Sequence, residues 1–492
     1  MLIALASLLA SPSLAGPVRL SDANGLLTIE GDLLSRDGEV FRIETEYGPV
    51  SLDAGALLCS GAGCPDPADM IVRATVGGPA DLMHRLFPAL LEVFADTRDM
   101  DALRIFHDDQ HVTWELTARK TNRLVAVFDV RTLQAGDAQA GLNSGDLTLA
   151  FSLLENASET RSDVVALDGL VPAVAPDNPR VMVTLAQLRV LMNDAGATWE
   201  KLGGTADVVS VHLPSEYPIE PPRLGLKGLP ANAVRHATFE GLADTVAQDP
   251  AALGIVPYSA LGNATPLVVS GACGLATPAT RDTIRAEDYP VTRPIFLHRM
   301  GADHPKLVRE FIAFARSAAV QPVIRAAGFV DQAIGRISFE RQGGRIANAV
   351  LLAGDDPNAI AEVRDMIGTL LGGERLTLTF RFRDGSSDLD PQSVSNVQRL
   401  ADAISDGTFD GQQVLFVGFS DGVGDKNVNQ RLSERRARAV RSAVASRIDN
   451  SEMDLNVAAF GELMPMACDS APWGGQVNRR VEVWVKPLDV TR

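Results

Sequence analysis

The chain has 492 residues, which is too many for one hydrophobic core, and this length predicts roughly two to four domains. Its apolar fraction of 46% is ordinary for a folded globular protein. A formal net charge of −17 leaves no basic footprint for nucleic acid or for an anionic membrane surface, so neither is an expected partner. Beyond the N-terminus no apolar run is long enough to span a bilayer, so we expect no transmembrane segment in the mature chain.

The first residues form an apolar run that predicts a signal peptide over residues 1–15, cleaved after Ala15. The usual basic start is missing, which leaves a late-placed start codon or a buried N-terminal helix as alternatives. No cysteine follows the run directly, so a lipoprotein anchor is not supported. The sequence therefore predicts export to the periplasm, where disulfides form.

Residues 16–68 alternate apolar and polar side chains in short segments, which predicts a small β module. Near its end, Cys59 and Cys64 flank a glycine-rich loop flexible enough to close a small ring, so we predict a disulfide between them. Cys273 and Cys468 remain, and they could pair across domains or lie buried as inert thiols.

The rest of the chain predicts a multidomain α/β protein. In residues 69–342, strand-like runs alternate with amphipathic helices, as in an open α/β sheet. The sequence pattern of residues 343–373 predicts a helical connector. That of residues 374–488 predicts strands and helices in the order β-α-β-α-β-β, which suits a compact two-layer sandwich.

Four ordered blocks in the last region carry a family resemblance. They are Gly-Phe-Ser-Asp-Gly-Val-Gly at 418–424, Asn-Gln-Arg-Leu-Ser-Glu-Arg-Arg-Ala at 429–437, Gly-Glu at 461–462 with Pro465, and Asn-Arg-Arg-Val-Glu at 478–482. Together they resemble the OmpA-like peptidoglycan-binding domain. The resemblance implies non-covalent binding of the peptidoglycan peptide stem, centred on its diaminopimelate.

A free amino-acid end presents an ammonium beside a carboxylate, so its binder needs one acid and one guanidinium a few ångströms apart. By the resemblance, Asp421 receives the ammonium and Arg436 takes the carboxylate in a bidentate fork. Asn429 is expected to order the loop and the helix start, and the Ser433 hydroxyl to bond locally. The alternative is that Asp421 caps a turn and Arg436 is a solvated surface charge.

Two further arginines, Arg479 and Arg480, lie beside the last strand. Alternation along a strand sends them to opposite faces, so only one can reach the shared site. We expect Arg480 to be that residue.

Two catalytic or metal interpretations are weaker. Residues 418–422 fit G-x-S-x-G, the nucleophile elbow of a hydrolase, but that fold needs a histidine after the serine, and the last histidine is His304. His107 and His111 have metal-like spacing, but their segment is typical of a polar turn. The sequence therefore predicts no enzyme, no metal and no cofactor.

The middle region contains the apolar, Pro-containing run at 163–179, Trp-Glu-Lys-Leu-Gly-Gly at 199–204 and Gly-Ile-Val-Pro-Tyr at 254–258. These segments resemble the phosphate-type substrate-binding proteins of ABC importers, and the resemblance implies two α/β lobes closing on a ligand. In that family, backbone N–H groups and hydroxyls bind the anion. Only Gly77, Gly78 and Ser152 remain as candidate donors here, while Pro79 removes a donor and Asp81 repels an anion.

Two functions therefore compete for the middle region. Either it binds a phosphate or another anion as a wall-tethered solute receptor of an ABC importer, or it has become a module that binds an envelope protein. The leading hypothesis is a non-catalytic anchoring protein of the periplasm, associated with the cell wall and with the outer membrane.

Overall fold

The computed structural model describes residues 17–22, 27–37, 40–53, 57–65, 71–155, 160–215, 232–270, 276–301, 304–383, 388–448, 453–469 and 474–488. The predicted signal peptide, residues 1–15, lies outside these residues, as does Cys273. The chain divides into two compact units. The first comprises residues 1–152, 156–161 and 298–323, and the second comprises residues 153–155, 162–297 and 324–492.

The first unit begins with an antiparallel sheet of five strands, Pro17–Asp22, Thr28–Asp37, Val40–Thr45, Gly48–Asp53 and Leu57–Ser60. Alternate side chains of these strands build its core, as the period-two pattern requires. Cys59 and Cys64 form the predicted disulfide next to that core. Cys468 is also disulfide-bonded.

The larger part of the first unit is an α/β sheet. Its strands are, in spatial order, Leu149–Ser152, Val72–Gly78, Arg123–Thr132, His111–Ala118 and Met100–Phe106. The helices are Phe87–Thr97, Ala135–Ser144 and Lys306–Arg316, and a π-helical turn at Leu82–Leu86 leads into the first of them. Phe87 and Phe94 pack against Phe311 with ring centroids 5.7 and 5.5 Å apart, so the helix Lys306–Arg316 completes this core.

In the second unit, residues of the long strand Thr160–Val174 pair antiparallel with Ala252–Pro257, which is followed in the sheet by Ser210–Pro214 and Val234–His236. A small sheet contains Met182–Thr184, Val268–Ser270 and Ala276–Thr277. The other elements of this region are the strand Thr265–Pro266, residues 292–297 of the strand Thr292–Met300, the helices Leu185–Asn193, Phe239–Gln248 and Arg281–Arg285, residues 324–326 of the helix Gln321–Ala326, and the 3-10 turns Trp199–Leu202 and Tyr258–Ala260.

The C-terminal region of the second unit contains the predicted order of elements. Its sheet is ordered Arg336–Ser338, Glu374–Arg381, Arg480–Pro487, Gln412–Phe419, Leu455–Ala459. The helices Pro391–Ser405 and Lys426–Ala445 contribute to a core with Val481, Val483 and Val485. A short helix, Gly474–Asn478, precedes the last strand and was not predicted. The α/β multidomain fold class is confirmed.

The segment predicted as a helical connector has a second role. It contains the 3-10 turn Phe339–Gln342 and the helices Gly343–Ala353 and Pro357–Leu370. Met366 and Leu370 share a core with Val417 and Trp484 of the sheet. This core and that of the other two helices use alternate residues of the same strand, so helices cover both faces of the sheet. Residues 374–488 form the predicted two layers, and the connector helices add a third.

Candidate functional site

The strand Gln412–Phe419 and the helix Lys426–Ala445 position the predicted clamp. The helix is capped by Asp425, whose side chain accepts a hydrogen bond from the Val428 N–H. Asn429, Ser433 and Arg436 follow at i, i+4 and i+7, which places them on one helix face, and all three are buried. That face lies directly on the strand, because a Cβ at Gly418 would stand 2.1 Å from the Ser433 carbonyl oxygen.

The structure gives Asn429 and Ser433 local bonding roles. The Asn429 amide donates to the Val423 carbonyl and to Glu462 Oε2, both at 3.3 Å, and so holds the loop to the helix start. The Ser433 hydroxyl donates to the Gln430 carbonyl at 2.8 Å and accepts from the Gly461 N–H at 3.2 Å. Asn429 therefore fixes the loop that carries Asp421, and Ser433 fixes the helix to the segment at Gly461.

Arg436 combines burial with unused hydrogen-bonding capacity. Its side chain is 8% exposed and its guanidinium lies 5.1 Å from the centroid of the Phe382 ring. Among the described residues, Nε and Nη1 of Arg436 have no hydrogen-bond partner. Burial and the nearby Arg479 lower the pKa of Arg436, while Asp421 opposes this shift. A buried donor left unsatisfied costs about 1–3 kcal/mol, and an incoming carboxylate would relieve that cost.

Asp421 lies in the same cluster and already has one partner. Its Oδ2 accepts a hydrogen bond from Nη1 of Arg479 at 2.8 Å. Next to it, Asp469 accepts hydrogen bonds from the Gly422 N–H and the Asn478 amide, both at 2.8 Å. Asp421, Arg436 and Arg479 therefore form one cluster, which we call the outer charge cluster.

The expectation for Arg480 is wrong. Arg480 is fully buried, and its three nitrogens donate to Glu482, to the Asn478 carbonyl and to the Met464 carbonyl. Alternation does separate the two arginines, but it is Arg479 that reaches Asp421. Sequence reasoning also missed Phe382 and Asp469, because neither lies in the four blocks.

The candidate solute donors lie in a closely packed part of the first unit. A Cβ at Gly77 would meet side-chain atoms of Leu147 and Leu133 at 2.7 and 2.8 Å, and one at Gly78 would stand 2.8 Å from the Phe151 carbonyl oxygen. These glycines therefore allow close packing of the strands, and Ser152 is itself only 6% exposed.

Just beyond these glycines, Asp81 begins the helical segment. Its Oδ1 accepts a hydrogen bond from Nη1 of Arg85 at 2.9 Å, and its side chain is only 8% exposed. A carboxylate at the N-terminus of a helix interacts favourably with the helix dipole, and it repels an anionic ligand there.

The histidine pair has ordinary partners. His107 and His111 stack with ring centroids 4.4 Å apart, and they contact Thr113 and Asp129 respectively. Within the described ranges, no group of three or more His, Cys, Asp or Glu side chains could hold a metal ion. Across the same ranges, no helix has both the length and the apolarity needed to cross a membrane.

Residues 381–479 match the model of the OmpA family. The chain carries an OmpA-family domain at its C-terminus. This region is similar to outer membrane porin F of Pseudomonas aeruginosa, with 31% identity over 23% of this chain and 31% of that protein. It is also similar to the peptidoglycan-associated lipoprotein of Pseudomonas putida, with 33% identity over 22% of this chain and 63% of that protein. The chain thus spans about a third of the length of porin F.

Solved structures resemble the chain over its N-terminal half. An ABC-type phosphate transport receptor from Vibrio cholerae aligns with 52% of this chain and 99% of its own, at 17% identity and a TM-score of 0.40.

Proposed function

We propose that the protein is a non-catalytic component of the cell envelope that binds peptidoglycan non-covalently through residues 374–488. The observation that carries this proposal is the outer charge cluster. Arg436 is buried with two unused donor nitrogens, in an OmpA-family domain and beside the carboxylate of Asp421. A cluster with that composition fits a zwitterion, which supplies a carboxylate and an ammonium from one small group.

In this proposal the ligand is the free amino-acid end of diaminopimelate in the peptide stem. Its carboxylate accepts hydrogen bonds from Nε and Nη1 of Arg436, whose planar fork suits bidentate binding. Its ammonium binds Asp421 at Oδ1, since Oδ2 is held by Arg479. Asn429 and Ser433 keep the loop and the helix in the geometry that this requires.

The second part of the proposal concerns the substrate-binding-like region, residues 69–342. We infer that its phosphate site is degenerate and that the region serves as an interaction module for an envelope protein. The packing of Gly77 and Gly78 against leucine and phenylalanine atoms, and the ion pair of Asp81 with Arg85, support this inference. The competing proposal is a wall-tethered receptor that delivers a phosphate or another anion to an ABC importer.

The location follows from the same ligand. A peptidoglycan-binding protein functions in the periplasm at the cell wall, and we propose that it lies beside the outer membrane.

Sedimentation with purified sacculi tests the clamp. The full-length protein should co-sediment, and Asp421→Ala or Arg436→Ala should move most of it to the supernatant, because each removes one charge-assisted contact of the zwitterion. Each such contact contributes about 1.5–3 kcal/mol, so we expect a loss of roughly 10- to 100-fold in affinity for each variant.

The matched control is Arg438→Ala. Arg438 lies two residues further along the same helix, is 62% exposed and pairs with Glu434. This variant removes an arginine from the helix without touching the cluster, so its sedimentation should equal that of the unchanged protein. Unchanged binding in both cluster variants would contradict the assigned site.

A further inference from the structure

A cavity of about 230 Å³ in the second unit lies beside the outer charge cluster. One wall belongs to the OmpA-family domain and includes Arg381, Gln392 and Val477. The other wall belongs to the substrate-binding-like region and includes Glu287, Tyr289 and Arg293. The cavity is therefore made by two regions of the chain that the sequence treats as separate domains.

Arg381 joins the two walls. Its Nη1 donates to the Val477 carbonyl at 3.2 Å and its Nη2 donates to the Glu287 carbonyl at 2.7 Å. The residue is only 6% exposed, and in the described part of the chain its Nε has no hydrogen-bond partner. The Glu287 carboxylate stands 3.6 Å from that Nε, which is an ion-pair distance but too long for a hydrogen bond.

Gln392 supplies a second unused polar atom at the cavity. It is 3% exposed, and no described residue bonds its Oε1. Its Nε2 faces two oxygens, Oε1 of Gln332 at 3.3 Å and Oδ1 of Asn396 at 3.2 Å, and these acceptors fix which end of the amide is nitrogen. Both unsatisfied atoms thus belong to residues that line the cavity, and a ligand that carries a donor and an acceptor would satisfy them.

The short helix Gly474–Asn478 places the cavity next to the clamp. A Cβ at Gly475 would stand 3.0 Å from Arg479 Nη1 and 3.1 Å from Asp421 Oδ2. The next two residues, Gln476 and Val477, line the cavity. Gly475 and Val477 lie within one helical turn, which rises about 5.4 Å, so the cavity and the clamp are neighbours.

We propose that this cavity is a second subsite for the peptidoglycan stem, which binds the peptide residue next to the diaminopimelate held by the clamp. The residue's amide N–H donates to Oε1 of Gln392, and its carbonyl or carboxylate oxygen accepts from Nε of Arg381. The inference rests on the proposed peptidoglycan function. It adds that part of the ligand-binding surface comes from residues 287–293, in the substrate-binding-like region.

Calorimetry on the full-length protein with two ligands tests the subsite. One ligand is free diaminopimelate, which fills the clamp alone, and the other is a soluble muropeptide whose stem contains diaminopimelate. Gln392→Leu removes the acceptor, so the dissociation constant for the muropeptide should rise roughly tenfold while that for free diaminopimelate stays unchanged. Gln398→Leu, on the same helix with a hydrogen bond to Asp402 at the surface, should change neither constant.

Val477→Phe provides a second variant that leaves the buried hydrogen bonds of Gln392 in place. Val477 is half-buried, and a phenylalanine there fills the cavity, so muropeptide affinity should fall again with no effect on free diaminopimelate. An unchanged muropeptide affinity in either variant, at an unchanged melting temperature, would mean that the cavity holds water only and would overturn the subsite. Arg436→Ala should weaken both ligands, and its failure to do so would instead contradict the clamp.

Discussion

Consecutive arginines at the start of the last strand enter two clusters of charge with opposite properties. Arg479 belongs to the outer charge cluster with Asp421 and Arg436. Arg480 belongs to a buried group that we call the inner charge cluster, whose members are Arg345, Arg375, Arg480, Glu482 and Asp288. Both clusters are rich in arginine, so composition does not distinguish them. What differs is the carboxylate partners: Arg345, Arg375 and Arg480 each pair with a buried acid, whereas Arg436 forms no ion pair with any described residue.

In the inner charge cluster, the arginines pair with carboxylates of the protein itself. Glu482 accepts from Arg345, from Arg480 at 2.8 Å and from the Trp484 indole N–H at 3.2 Å. Burial alone would raise the pKa of Glu482, but Arg345, Arg375 and Arg480 outweigh it and hold that pKa well below its usual range. Asp288 in turn accepts from Arg375. Such a cluster holds the sheet, the helix Gly343–Ala353 and the segment around Asp288 together.

Removing the inner acid should give the largest effect. Glu482→Gln leaves three buried arginines with one acid in place of two, so we expect the free energy of unfolding to fall by about 3–5 kcal/mol. Chemical denaturation of the full-length protein measures this. Below the unfolding transition, the fraction that stays folded should still bind sacculi, because the outer charge cluster is untouched.

The matched control for that prediction is Glu434→Gln. Glu434 pairs with Arg438 on the surface of the helix Lys426–Ala445, with side chains 44% and 62% exposed. An exposed pair of this kind contributes about 0–1 kcal/mol. If both variants lost the same small amount of stability, the inner charge cluster would not have the structural role assigned to it.

The two clusters also show what the sequence could and could not predict. The strands and helices of the C-terminal region followed from periodicity, and the four blocks identified Asp421 and Arg436 as a pair. Alternation showed that Arg479 and Arg480 must separate, but not which of them enters the core, because the sequence does not show that Glu482 and the carbonyls of Asn478 and Met464 surround Arg480. The packing of the helices 343–353 and 357–370 on the sheet was missed for a related reason: an amphipathic pattern reveals a buried face but not the surface that covers it.

A series of hydrogen-bonded polar groups elsewhere in the second unit makes the stability of this unit depend on pH. Oγ of Ser210 lies 2.9 Å from Nε2 of His212, and Nδ1 of His212 lies 2.9 Å from Nε2 of His236. Burial lowers the pKa of both histidines, and for His212 the neighbouring His236 lowers it further, while Asp249 opposes the shift. This arrangement needs at least one neutral ring, since only then can one histidine accept from the other.

The sign of the pH effect follows from those shifts. Because the folded-state pKa values lie below the ordinary value of about 6.5, the unfolded chain binds more protons as the pH falls, and stability is lost from about pH 6.5 downward. Native-state hydrogen exchange should show a smaller opening free energy for Ser210–Pro214 and Val234–His236 at pH 5.5 than at pH 7.5. His212→Gln should flatten this dependence, and equal opening free energies at the two pH values would contradict it.

The last prediction concerns the segment of the first unit that contains Gly77 and Gly78. We expect that phosphate does not bind there. Gly77 and Gly78 face Leu133, Leu147 and Phe151 atoms, so the approach of an anion would require these side chains to move. Asp81 adds a carboxylate at the same helix start, and Arg85 already occupies one of its oxygens in an ion pair. Titration of the full-length protein with inorganic phosphate should therefore release no heat of binding at micromolar to millimolar concentrations.

Asp81→Ser separates the two causes. It replaces the acid by the hydroxyl that a phosphate site would need, and it leaves the packed glycines as they are. If packing closes the site, this variant should also fail to bind phosphate; if it gains affinity, the carboxylate alone was the barrier. Micromolar binding by the unchanged protein would favour the solute receptor over the interaction module. It would also show that a buried arginine without a carboxylate partner, the feature of the outer charge cluster, is not required for a ligand site in this chain.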